Sequence, residues 1–169
     1  MMRLILHDLT ETEFQAAGLG ALSEYDNMIV SALGDNHYCI GCFGCWLATP
    51  GRCVIKDEYQ EMGSKLSSVD EYVIISKATF GSCSSAIKNV LDRSISYVKP
   101  FFEIRDGEMH HQERYHNDLK FSAIFYGQCP PWEQETSENL VRANALNLNA
   151  AVGDVHFVEY LDEIGEVLL

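Results

Sequence analysis

The sequence predicts an α/β domain with a five-stranded parallel sheet and helices on both faces. Three observations carry this. Strand-like and helix-like stretches alternate five times along the 169 residues, the pattern that specifies a parallel sheet. The clearest strand, Tyr72-Val73-Ile74-Ile75-Ser76, is apolar and largely β-branched, as expected of a strand covered on both faces. The most distinctive residues fall just after the strands, where ligands bind in open sheets of this kind.

Residues 2–6 read as the first strand. This short apolar run meets His7-Asp8 at once, so it is not a secretory leader, and a cytoplasmic location is expected. Thr10 and Glu13 stand in capping-box spacing before a short helix at Phe14-Gln15-Ala16-Ala17. Met28 to Leu33 is the second strand, closed by a turn at Gly34-Asp35-Asn36. Asp57 to Leu66 has apolar positions at helical spacing, Tyr59, Met62 and Leu66. After the Tyr72–Ser76 strand, Gly81-Ser82-Cys83-Ser84-Ser85 leads into a helix through Ile87, Val90, Leu91, Ile95 and Val98 that ends before Pro100. Phe121 to Tyr126 is the fourth strand, about 133–151 a long helix, and Val155 to Tyr160 the fifth strand. Leu161 to Leu169 adds a short last helix.

Residues 99–118 are far longer than such a connection needs. They carry Phe101, Phe102, Arg105, His110, His111, Arg114, Tyr115 and His116. The segment is expected to lie over the ligand rim as a lid or to pack on a second subunit as an arm. For any one of its histidines, the plainer reading is an exposed polar loop. Residues 1–169 form a single domain with a full core.

The formal charge is −13. A field of that sign repels nucleic acid and anionic membrane surfaces. No apolar run approaches the length of a bilayer span.

Four of the six cysteines fall within fifteen positions, as Cys39-x2-Cys42-x2-Cys45-x7-Cys53. Three cysteines spaced three apart aim several sulfurs at one centre, and Gly41 and Gly44 permit positive φ in that curl. Pro50-Gly51 turns the chain back to present Cys53. Thiolate sets of this kind hold iron–sulfur clusters. Zinc, a patch of free buried thiols and disulfides are the competing readings.

The block Cys39-Ile40-Gly41-Cys42-Phe43-Gly44-Cys45-Trp46, followed by Pro50-Gly51-x-Cys53-x3-Asp57, resembles the flavodoxin-like NAD(P)H-dependent FMN reductases and their iron–sulfur flavoprotein branch. Ser76 to Gly81 with Lys88-Asn89-x2-Asp92-Arg93, and Met109-His110-His111-x2-Arg114-Tyr115, resemble the same family. The resemblance spans roughly residues 28–130. It implies a flavodoxin-like fold, bound FMN, NAD(P)H as electron donor, and a homodimer or homotetramer.

By that resemblance Ser76, Thr79, Phe80, Gly81 and Ser82 border the flavin ring and ribityl chain, and Tyr126, Gly127 and Gln128 approach its pyrimidine side. Cys39, Cys42, Cys45 and Cys53 match the ligands of a 4Fe–4S cluster in spacing. The family's first loop is a Gly-Ser-Pro-Arg-type phosphate cradle. Here it reads His7-Asp8-Leu9-Thr10-Glu11-Thr12-Glu13, leaving Thr10 and Thr12 as hydroxyl donors among carboxylates.

Two functions follow. The first is an FMN-dependent oxidoreductase or electron-transfer flavoprotein reduced by NAD(P)H. It would pass electrons to a small-molecule or protein acceptor, through a cluster where one is held. The cofactor does that chemistry, so no catalytic side chain is named. The second is a flavodoxin-like domain without tight FMN binding, acting as a thiol- or metal-based redox sensor or an interaction module.

Overall fold

The computed structural model of the chain describes residues 1–24, 27–35, 37–105 and 107–168. Asn36 of the expected turn, Asp106 of the long excursion and Leu169 of the last helix lie outside the described residues. The elements are β1 (Arg3–His7), α1 (Glu11–Ala16), β2 (Asn27–Ser31), α2 (Gly44–Leu47), α3 (Met62–Leu66), β3 (Glu71–Lys77) and α4 (Ser85–Arg93). They continue with β4 (Val98–Arg105), β5 (Glu108–Glu113), β6 (Lys120–Tyr126), α5 (Pro131–Asn147), β7 (Ala151–Val158) and α6 (Glu163–Leu168).

Five strands form one parallel sheet in the order β2-β1-β3-β6-β7. The chain steps from β1 outward to β2, then crosses back past β1 to β3. That reversal makes the rim above β1 and β3 the topological switch point. Side chains alternate between the two faces. Leu4, Leu6, Tyr72, Ile74, Phe121 and Phe125 pack one way, against Met62, Leu66, Ile87, Val90, Val141 and Ala145 of α3, α4 and α5. Ile5, Val73, Ile75 and Ile124 pack the other way, against Phe14 of α1 and Ile164 and Leu168 of α6. The expected fold class is what forms.

The long helix ends at Asn147 and the last strand begins already at Ala151, and other elements differ from expectation for tertiary reasons. The helix expected over 57–66 forms only from Met62, because the residues before it are committed elsewhere. Asp57 binds Arg93, the Tyr59 hydroxyl donates to Ser31 O at 2.6 Å, and Gln60 O accepts from the Cys53 N–H at 2.9 Å. The helix after Gly81 ends at Arg93, and Ser94–Tyr97 tightens into a 3₁₀ turn. Val98 then begins a strand that runs through Pro100. The strand register shifts between Val98 and Phe102, where proline has no N–H to give.

The long excursion is an antiparallel hairpin, β4 with β5. It lies on the cysteine loop. Trp46 Nε1 donates to Val98 O at 3.0 Å, and the His111 ring sits 4.8 Å from Trp46 and 4.7 Å from Phe102. His110 is buried in β5. Two of the three histidines are therefore packed, where an exposed loop was expected. Stacking between aromatic rings decides the first and strand burial the second. His116 is exposed.

Candidate functional site

The cysteine loop is built by a buried clamp. Arg93 ends α4 with its side chain 0 % exposed. Its Nη1 donates at 2.7 Å both to the carbonyl of His37, just before the first cysteine, and to Asp57 Oδ2. Its Nη2 donates at 2.7 Å to Asp57 Oδ1 and at 3.3 Å to Ile55 O, just after the last cysteine. One guanidinium thus ties both ends of the loop. Its planar fork suits a carboxylate held two-pronged. Burial alone would raise the Asp57 carboxyl; the Arg93 guanidinium and the N–H groups of His37 and Tyr59 outweigh it and hold that carboxyl at about 2.

Between those ends the chain curls. Gly41 has φ 64° and Phe43 φ 57°, so a bulky residue takes a left-handed conformation beside the cysteines, which costs of order 1–3 kcal/mol. Gly44 serves differently from the expectation, by closeness and not by positive φ. A Cβ there would stand 2.5 Å from Val54 Cγ1, so only glycine lets the two arms of the loop meet. Pro50-Gly51 turns as expected, with Gly51 at φ 88° and its N–H on Cys45 O at 3.1 Å.

Cys39, Cys42, Cys45 and Cys53 all line one cavity of about 550 Å³. Phe43, Trp46, Leu91, Ile95 and Leu148 give it apolar walls. Cys39 and Cys42 are exposed, Cys45 half-buried and Cys53 buried. Burial, and then the neighbouring Cys53, Cys39 and Cys42, push the Cys45 thiol up. Among the described residues, no three His, Cys, Asp or Glu side chains stand close enough together to hold a metal ion. The thiols share a cavity without meeting at a point.

The cavity is not on the rim. Its other walls are the second half of α4 and the last turn of α5. Helices run back from the strand ends, so these parts lie away from the rim. None of Ser76, Thr79, Phe80, Gly81, Ser82, Tyr126, Gly127 or Gln128 lines it. The distinctive residues after the strands, expected where ligands bind, therefore fall in two separate places. The cause is the Arg93 clamp, which draws the loop down beside α4.

The rim itself gathers the other expected residues. Ser76 is buried at the end of β3; its Oγ accepts from the Ser84 N–H at 2.8 Å and stands 3.3 Å from Asp8 Oδ2. Thr79 and Ser82 exchange backbone bonds of 2.9 Å across a tight turn. Phe80, at φ 49°, is 90 % exposed at its tip. Gly81, at φ 72°, gives its N–H to Glu133 Oε2 at 3.2 Å. Tyr126 is half-buried near Asp8; burial, then the Asp8 charge, raises its phenol. Gly127 and Gln128 border a shallower cavity of about 470 Å³ beside Phe157 and Glu159.

The phosphate end of the rim holds carboxylates. Thr10 caps α1, and its N–H and Oγ both bond Glu13 Oε2, at 2.8 and 2.7 Å. These bonds hold the Glu13 carboxyl below its usual range. Asp8 is buried, and both its oxygens accept the Lys77 N–H, at 3.2 and 3.1 Å. Thr12 lies exposed on α1. These residues fit the phosphate of FMN poorly: Glu13 takes both Thr10 donors, and the Asp8 and Glu13 carboxylates stand there with the Lys77 ammonium as the cation acting on Glu13.

The sequence left Trp46 without a role and placed Asp57 with the cysteine block and Arg93 with the separate block from Lys88 to Arg93. The Asp57-to-Arg93 separation of thirty-six residues hides a pairing that only the fold makes.

The chain matches no protein-family profile and no curated protein. Its shape does match solved structures. The trp repressor binding protein of Bacillus subtilis aligns at TM-score 0.58 with 11 % identity, over 100 % of this chain and 99 % of that one. An azoreductase of Bacillus anthracis aligns at 0.52 with 11 % identity, over 99 % and 93 %. The apo form of EMOB, an NADH:FMN oxidoreductase, aligns at 0.51 with 11 % identity, over 94 % and 75 %. Likeness at such identities speaks to backbone and not to chemistry, and with the β2-β1-β3-β6-β7 order it establishes that this chain has the flavodoxin-like fold.

Proposed function

We propose that this protein is a redox protein of the flavodoxin-like fold whose reactive centre is the cysteine loop. The observation that carries this is the gathering of four thiols on one cavity, at the ends of a loop clamped by a buried Arg93–Asp57 pair. A loop fixed at both ends, with Cys39 and Cys42 exposed along it, can bring those sulfurs inward toward buried Cys53 and a metal. Cys39, Cys42, Cys45 and Cys53 are the donors for a 4Fe–4S cluster, which supplies one-electron chemistry when bound. The Gly44 N–H points at the Cys42 sulfur from 3.5 Å, and such bonds tune cluster potential.

The six cysteines are all unpaired, which supports work in a reducing compartment such as the cytoplasm. The exposed apolar side chains of the β4–β5 hairpin, Phe101, Phe102, Ile104 and Met109, support a homodimer or a homotetramer.

A second reading is an FMN-dependent oxidoreductase reduced by NAD(P)H. The fold shared with an NADH:FMN oxidoreductase favours it, and the carboxylates at the phosphate end of the rim oppose it.

The experiment is purification without oxygen, followed by an absorption spectrum with iron, acid-labile sulfide and zinc assayed on the same sample. Broad absorption with iron and sulfide, lost in Cys42→Ala while the fold persists, is the expected result. Unchanged iron in Cys42→Ala sinks the cluster assignment. Zinc without iron replaces it by a structural site.

A further inference from the structure

We infer that the rim above β1 and β3 is a self-occupied site, in which three of the chain's own carboxylates hold the donors of Lys77, Thr10 and Gly81 that would otherwise face FMN. Asp8 takes the Lys77 N–H with both oxygens. Glu13 takes the Thr10 N–H and hydroxyl. Glu133 takes the Gly81 N–H. Each contact joins a rim loop to a different element, namely β3, α1 and α5.

The three act at different ends of an incoming flavin. Asp8 and Glu13 stand where the first loop would meet the phosphate. An anion entering there would face two carboxylates, and the one cation acting on Glu13, Lys77, offsets only part of the repulsion between like charges in a partly buried site. Glu133 acts at the ring end. It holds the Thr79–Ser82 turn down on α5 so closely that a Cβ on Gly81 would stand 2.7 Å from Thr136 Cβ. The turn is seated, not open. Internal carboxylates replace a ligand's acceptors, and the strand ends and turn are satisfied without one.

The consequence is that the folded chain excludes FMN from this rim, and that charge governs one end while seating of the turn governs the other. The two can be separated by using FMN and riboflavin side by side, since only the first carries phosphate. The full chain is titrated into each flavin and flavin fluorescence is read. Neither flavin is expected to bind more tightly than about 1 mM.

Glu13→Gln keeps a residue that can close the capping box but removes one charge, so FMN binding should tighten about tenfold with riboflavin unchanged. Glu133→Ala frees the Gly81 N–H, so both flavins should gain alike. Circular dichroism on each variant confirms the fold. A saturable micromolar FMN complex of the unaltered chain overturns the inference, as does the absence of any gain in both variants. The inference is independent of the cysteine-loop reading, whose iron and sulfide content none of these outcomes moves.

Discussion

Arg93 donates to His37, Ile55 and Asp57 from a wholly buried position, so the largest single-residue effects belong to this pair. Removing one partner of a buried ion pair leaves the other charged and unsolvated, which costs about 3–5 kcal/mol. Arg93→Met should lose stability on that scale in denaturant unfolding, and a loss under about 1 kcal/mol would show that the clamp is dispensable.

The pair also sets a pH dependence. The Asp57 carboxyl is held at about 2, below its ordinary 3.8. A depressed carboxyl stabilises the fold fully above its unfolded value and loses that contribution as pH falls through the folded one. A shift of this size corresponds to about 2 kcal/mol, lost between about pH 4 and pH 2. Asp57→Asn should flatten that part of the stability curve, and an unchanged acid limb would refute the assignment.

Exposure sorts the thiols in the same way. Iodoacetamide followed by mass spectrometry should label Cys39 and Cys42 well before buried Cys53 and Cys83. Equal labelling of all four would mean that the loop opens freely.

At the scale of elements, the turn after β3 corrects a simple expectation. A side chain at Gly81 would naturally be thought to intrude on a ligand at the rim. Here it would strike Thr136 and Glu133 O of α5, in a backbone conformation of φ 72° that disfavours any Cβ. Gly81→Val is therefore a packing lesion. It should lower stability by about 2 kcal/mol or more, with no ligand present. A variant as stable as the parent would mean that the turn lifts easily from α5.

The first loop behaves as its spelling suggests. Thr10 and Glu13 form the full capping box, so Thr10→Ala should cost about 1 kcal/mol. The hairpin β4–β5 is the contrary case. Its length marked it as an addition, but nothing local tells that it closes over Trp46.

At the scale of the whole molecule, the fold separates two candidate regions that the chain order merges. The strand ends make one rim, and the cysteine loop, although it follows β2, is drawn to the flank of α4. The hairpin and the cysteine loop also expose apolar side chains, among them Phe43, Leu47, Phe101 and Ile104. If these side chains join two copies, Phe102→Asp with Ile104→Asp should convert a dimer to a monomer in sedimentation, while the far-UV spectrum stays unchanged. A monomeric parent protein would remove the hairpin from consideration as an arm.

How much was legible follows from the range of each interaction. Strand burial, the capping box, the Pro50-Gly51 turn and the cysteine spacing depend on residues a few positions apart, and sequence alone determined them. It also showed that the first loop carries the wrong charge for a phosphate. The length of α3, the end of α4 at Arg93 and the seat of the Thr79–Ser82 turn depend on distant partners, such as Asp57 with Arg93, 36 residues apart, and Gly81 with Glu133, 52 apart. Only the tertiary structure decided those, because a polar group's partner is chosen by where burial leaves it unsatisfied. The separation of the cysteine cavity from the rim has the same origin: one buried guanidinium needed acceptors, and the loop's two ends supplied them.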